Sequence, residues 1–307
     1  MFIFDKKNLD KVIKSLPNIK LLVTFFLLWT TTVIDVHTEA YLAYIMILTV
    51  GILHGSNDIE LLFGSFNLKR KQTFQVVALY IGMVLLTVLL FYFIPAITLG
   101  VFILFSAYHF GEQHFVKKVR SKRLTKELFY LSYGMMILSM LFFLNETEVI
   151  VIISQITGLV LSSLLFSAGL MVSICLTCVL GVLLFLEKKL NTSLMREVFL
   201  LLVFYIIFKF ATVLWAFAIY FIVWHAYPSI MDQISVLKSR MKSFSLKQYM
   251  KTSFIYWLIS VTGIGVLFLL TSEMPELFNA LFFTFIAAIS FPHIYVIRKM
   301  NSDQEGN

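Results

Sequence analysis

The chain has 307 residues, 60% of them hydrophobic and 14% charged, and its mean hydropathy is +0.90. That balance excludes an ordinary soluble domain and points to an integral membrane protein. The formal net charge of +8 reads as membrane topology rather than nucleic-acid binding, because the basic residues fall in short runs between apolar stretches.

Taken in chain order, Asp5, Lys6, Lys7, Asp10, Lys11 and Lys14 make residues 1–18 a cytoplasmic basic lead-in rather than a cleaved leader. Crossings are sought as about 15 to 25 apolar residues, and sides are assigned from where Lys and Arg collect. The first span is predicted from about Ile19 to Ile34, followed by an outer acidic loop, Asp35 to Glu39, with His37 on the surface. The second runs from Tyr41 to about Phe66, returning to Lys69, Arg70 and Lys71. The third, about Phe74 to Ile94, stops at Pro95, and the fourth, about Ala96 to Val116, ends in the basic stretch Lys117 to Arg123.

A fifth span, about Glu127 to Leu144, leads to the acidic segment Asn145 to Glu148. Residues 149–186 are too long for one crossing, so a short interfacial or re-entrant helix is predicted around Val149 to Leu164 and a sixth span from about Ser167. That span holds Cys175 and Cys178, a lone pair in an apolar helix that reads as two small buried hydrophobes. The seventh and eighth spans divide near Lys209, at about Glu197 to Phe208 and Ala211 to Ile234. The ninth runs about Ser253 to Leu270 and the tenth about Leu277 to Ile297, with residues 301–307 frayed. The fold class expected is an all-α polytopic transmembrane bundle of about ten helices. It forms one domain over 1–307, with both termini cytoplasmic and a short polar tail at 298–307.

Within these apolar spans, histidine stands out. Counted from the outer end of each span at about 1.5 Å per residue, His54, His109, His225 and His293 fall at depths of about 20, 20, 21 and 24 Å. Any one of them alone could be a buried imidazole satisfied by a neighbouring carbonyl or hydroxyl. Four at matched depth suggest a shared site, and imidazole is the commonest ligand for iron, zinc and copper. Asp58, four residues after His54, and Glu112, three after His109, share faces with those histidines and suit an orienting role. Gly51 and Gly55 allow close approach beside His54, and Pro228 and Pro292 can free carbonyls near His225 and His293. His114 lies five residues past His109, about 140° around the helix, and joins the site only if the helix unwinds there. The 32 Phe and 13 Met could line a chamber for a long apolar ligand.

At these residues the sequence resembles the Brp/Blh family of integral membrane β-carotene 15,15'-dioxygenases. The resemblance rests on His54-Gly55-Ser56-Asn57-Asp58, on Ser106-Ala107-Tyr108-His109-Phe110-Gly111, on Trp224-His225 and on Pro292-His293, in family order from about Tyr41 to Ile297. It implies an Fe(2+)-dependent oxidoreductase that cleaves the central double bond of β-carotene, or a related carotenoid, with O2. The two retinal molecules formed would be passed on to a rhodopsin, and the enzyme would sit in the lipid bilayer of a bacterial-type inner cell membrane. The family's iron ligands carry over onto His54, His109 and His225. A fourth family ligand, four residues after the third, is replaced here by Ser229, so the resemblance leaves His114 or His293 to complete the set. Two other classes use intramembrane histidines: haem-binding electron-transfer proteins, and metal or proton transporters, for which no inverted repeat is evident. A membrane di-iron desaturase fits poorly, since none of the six histidines falls in a His-x-x-x-His box.

Overall fold

The computed structural model describes residues 19–66, 70–121, 124–241 and 244–305; the basic lead-in at 1–18 lies outside them. Among the described residues eleven helices follow in order: α1 (Ile19–Thr30), α2 (Val36–Leu62), α3 (Arg70–Phe93), α4 (Pro95–Phe115), α5 (Leu124–Leu144) and α6 (Glu146–Thr157). Then come α7 (Ser163–Leu186), α8 (Leu194–Phe210), α9 (Val213–Arg240), α10 (Leu246–Leu270) and α11 (Pro275–Glu305). No strand occurs among the described residues, and the single β-bridge joins Val119 to Leu190.

Seven of the helices are long and apolar enough to cross a membrane: α2, α3, α5, α7, α9, α10 and α11. The protein is therefore a multi-pass, all-α membrane protein. Of the other spans expected from sequence, α1 is shorter, α8 has 17 residues, and α4 has the length but carries the polar run around His109. Large apolar side chains face outward over α3, α7 and α10, among them Leu79, Leu85, Leu164, Phe185 and Ile259. Contiguous apolar surface of that extent suits lipid, not water. Cys175 and Cys178 lie on this outer surface of α7 as free, exposed thiols, not in the interior as their apolar context suggested.

Several helix limits differ from the sequence reading for clear physical reasons. Asp35 caps the start of α2. Its carboxylate accepts hydrogen bonds from the backbone N–H groups of His37 and Thr38 and from the Thr38 hydroxyl, which holds it below the usual carboxylate range. The acidic stretch beyond Asp35 is thus the first turn of a helix rather than a loop. The short helix predicted near Val149 is α6, beginning three residues earlier, and Gly158 ends it in a left-handed conformation. The tail is not frayed from Asn301; α11 continues to Glu305, where Arg240 and Lys299 pair with Asp303.

Polar groups tie the bundle at its two ends. At one end Lys118 pairs with Glu197 at 2.8 Å, Lys117 with Asp232, and the backbone after α4 bonds to the backbone after α7. At the other, Glu39 accepts from the backbone N–H and hydroxyl of Thr212, and Glu148 accepts from the N–H of Val213. Two carboxylates therefore satisfy the exposed donors at the start of α9 and favour its dipole. Between the ends, α4 and α5 touch backbone to backbone. A Cβ on Gly111 would lie 1.9 Å from the Tyr130 carbonyl oxygen, and one on Gly134 would lie 1.7 Å from that of Ala107. Small residues at such crossings let helices pack closely where lipid supplies no hydrophobic drive.

Candidate metal centre

Each histidine expected at the shared depth comes from a different helix, and the structure brings the four together. His54 on α2, His109 on α4, His225 on α9 and His293 on α11 are all buried. Their ring centroids form a closed circuit. His54 to His293 is 4.5 Å, His293 to His109 is 5.3 Å, His109 to His225 is 4.7 Å and His225 to His54 is 5.4 Å, with neighbouring rings nearly perpendicular. One ring nitrogen each from His54, His109 and His225 lies within 4.8 Å of the others, and His293 is not in that group.

Local backbone irregularity aims two of these side chains. The turn Ile47–Gly51 just before His54 and the turn Tyr220–Ala226 containing His225 are π-helical. Such wide turns re-aim the side chains beyond them and recur at functional sites. Pro228 has no N–H to bond back to the turn carrying His225, and the widened turn absorbs that loss. Gly51 is required for close approach, since a Cβ there would lie 2.9 Å from the Phe221 ring, while a Cβ on Gly55 would lie 3.6 Å from His293 Nδ1, an ordinary contact. Phe221 stacks on His225 with centroids 5.5 Å apart, and Phe110 meets the same imidazole at 4.7 Å.

The hydrogen bonds decide which nitrogens are free. His54 Nδ1 is held by the Gly51 carbonyl, and His293 Nδ1 lies 2.7 Å from Asp58 Oδ1. With hydrogen on Nδ1 in both, each ring presents Nε2 as a lone-pair donor. Tyr80 donates to the other oxygen of Asp58 at 2.9 Å. Both nitrogens of His109, both of His225 and Nε2 of His293 are buried without a hydrogen-bond partner. Unsatisfied buried polar atoms are costly, so several converging on one spot call for an occupant. A cation with nitrogen preference meets that need, and the ligand set fits iron, zinc or copper.

The remaining predicted residues divide. Asp58 orients His293, a residue distant in sequence, instead of its own-helix neighbour His54. Ser229 accepts from Gln233 Nε2 at 3.1 Å, and that amide also donates to the His54 carbonyl at 2.8 Å, so Ser229 braces the site from behind. His114 is not part of the quartet. The helix does not unwind there, and its Nε2 meets Glu197 at 2.7 Å and Lys118 at 2.9 Å, with Tyr133 stacked on the ring. Glu112 is buried, but it does not orient His109, since both ring nitrogens of that histidine are without a hydrogen-bond partner. Gln233 and Tyr249, whose hydroxyl donates to Gln233 Oε1 at 2.9 Å, were missed because nothing near them in sequence marks a site.

Two cavities meet at the histidines. One runs between α4, α5, α6, α9 and α11 and includes Phe102, Phe142, Phe217 and Phe282 in its wall. The other lies between α2, α3, α10 and α11. They share Ile47, His54, Phe221, Ile286, Ser290 and His293. Phe is prominent in the first wall as expected, but Met lines neither cavity.

No curated protein and no solved structure matches the chain. A family model described as beta-carotene 15,15'-dioxygenase matches residues 45–301, a stretch that begins before His54 and ends after His293. With well over half of its length matched, and all four buried histidines inside the match, this chain belongs to the beta-carotene 15,15'-dioxygenase family.

Proposed function

We propose that the protein is an Fe(II)-dependent dioxygenase that splits the central double bond of β-carotene into two molecules of retinal. Family membership supports β-carotene dioxygenase activity. The observation that carries the finer reading is the set of buried imidazole nitrogens without partners where two apolar cavities join. In this account His54, His109 and His225 hold the ion, and His293 is the fourth ligand in place of the family residue replaced by Ser229.

Bound there, ferrous iron supplies the activation of O2. The chain does the rest. Asp58 keeps the proton of His293 on Nδ1, and its carboxylate offsets part of the charge that four neutral ligands leave uncompensated. Gly51 does the same for the His54 tautomer, while Gln233 fixes the His54 backbone. Phe221 and Phe110 hold the His225 ring and keep water away. The apolar walls hold the polyene by close packing along its length, with an arm on each side of the histidines so that the middle of a long symmetric chain lies beside them. The two atoms of O2 end on the two carbons of the broken double bond, so the reaction needs no external reductant. Retinal formed in the bilayer is then available to a retinal-binding membrane protein such as a rhodopsin.

The test is direct. Protein purified without oxygen, loaded with Fe(II) in lipid–detergent micelles and given β-carotene and O2 is expected to yield two retinals per carotenoid consumed. Unchanged pigment, or equal turnover by His54→Ala, would refute the proposal.

A further inference from the structure

The two arms are not equivalent. At the side of the second arm Ile81, Tyr256 and Ile259 are 52%, 42% and 63% exposed on the lipid-facing surface between α3 and α10, so this arm opens laterally. The first arm runs instead along the bundle and reaches α6, which presents Val149, Ile152, Ile153 and Ile156; Val149 and Ile153 are 4% and 8% exposed. That end wall is fixed. Glu148 is tied to the start of α9, Asn145 Nδ2 donates to the Phe208 carbonyl, and Ser163 bonds to Glu146.

The length of the first arm can be read from its walls. Lining residues run from His109 back to Leu99, from His225 back to Val213 and from His293 back to Phe282. At the α-helical rise these separations are about 15 to 18 Å. That is comparable to one half of an extended forty-carbon carotenoid with its terminal ring.

We infer that α6 is a measuring stop. A carotenoid dissolved in the bilayer enters ring-first between α3 and α10, passes the histidines and advances until its leading ring meets Val149 and Ile153. The double bond then beside the histidines is the one cleaved, while the trailing half remains in the open arm. The inference rests on the dioxygenase reading and adds what sets the cleavage position. A shifted position keeps the same balance, one O2 giving two carbonyls, but the products are unequal, one longer and one shorter than retinal.

The test measures product chain length by chromatography and mass spectrometry in wild type, Val149→Phe, which raises the floor, and Ile153→Ala, which lowers it, with iron content checked in each. Wild type is expected to give retinal alone. Val149→Phe is expected to give an unequal pair as a major product, and Ile153→Ala a mixture in which retinal is no longer alone. Retinal as sole product in all three proteins would overturn the stop and leave the dioxygenase reading intact. So would iron-loaded variants that both form no product. A wild type that cleaves nothing overturns the dioxygenase reading and the stop with it.

Discussion

Asp58→Asn separates an orienting carboxylate from a merely buried one. The carboxylate accepts from His293 at 2.7 Å and from the Tyr80 hydroxyl at 2.9 Å and is 2% exposed. An amide of the same shape has one acceptor oxygen, so it can satisfy only one of these donors and turns an N–H toward the other. It also removes the negative charge nearest the imidazole quartet. Carboxylates that orient metal-bound histidines typically contribute about 10- to 100-fold in metal affinity, or about 1.4 to 2.7 kcal/mol. The assay is an anaerobic Fe(II) titration against a competing chelator. Asp58→Asn should weaken binding within that range, and Tyr80→Phe, which leaves the carboxylate on His293, should weaken it less. Wild-type affinity in Asp58→Asn would show that Asp58 does not act through His293, and the assignment of that residue as a ligand would lose its main support.

Other perturbations follow from the same geometry. Gly134→Ala drives a methyl into the Ala107 carbonyl, so a loss of about 1 to 3 kcal/mol or more is expected, read as a lower thermal midpoint in detergent. Glu197→Gln breaks the contacts with Lys118 and His114 and should cost about 1 to 3 kcal/mol in stability while leaving iron content unchanged. His114→Ala should likewise keep its iron, and loss of the metal there would return His114 to the ligand set. Gln233→Leu leaves the His54 carbonyl and the Tyr249 hydroxyl without their amide partner. It should cost about 1 to 3 kcal/mol and loosen iron binding, measured by the same titration.

The sequence showed the levels of the histidines but not how the helices face one another. Spacing from the outer ends placed His54, His109, His225 and His293 at one depth because helical rise is regular, and the structure joins those four. It could not show which helices touch. Asp58 therefore looked like a partner for His54, one turn away, when its partner is His293 on α11. Glu112, one turn from His109, likewise makes no bond to it, and both nitrogens of that ring are without a partner. The π-helical turns beside His54 and His225 left no mark in residue spacing, because a widened turn needs no particular residue. Gly134 was overlooked for a related reason: a glycine matters here only because another backbone lies against it. His114 stayed a candidate ligand because Ser229 left the family set incomplete; the helix keeps its 140° offset from His109, and what it meets is Glu197.

The most direct measurement of the central claim is metal content after anaerobic loading with Fe(II) and removal of loose ion, in wild type and in His54→Ala, His109→Ala, His225→Ala, His293→Ala and His114→Ala. The account predicts one tightly held iron per chain in wild type and His114→Ala. It predicts little or none when His54, His109 or His225 is lost, and weakened retention when His293 is lost. A wild type that holds no iron, or His54, His109 and His225 variants that retain it fully, would contradict a shared imidazole site.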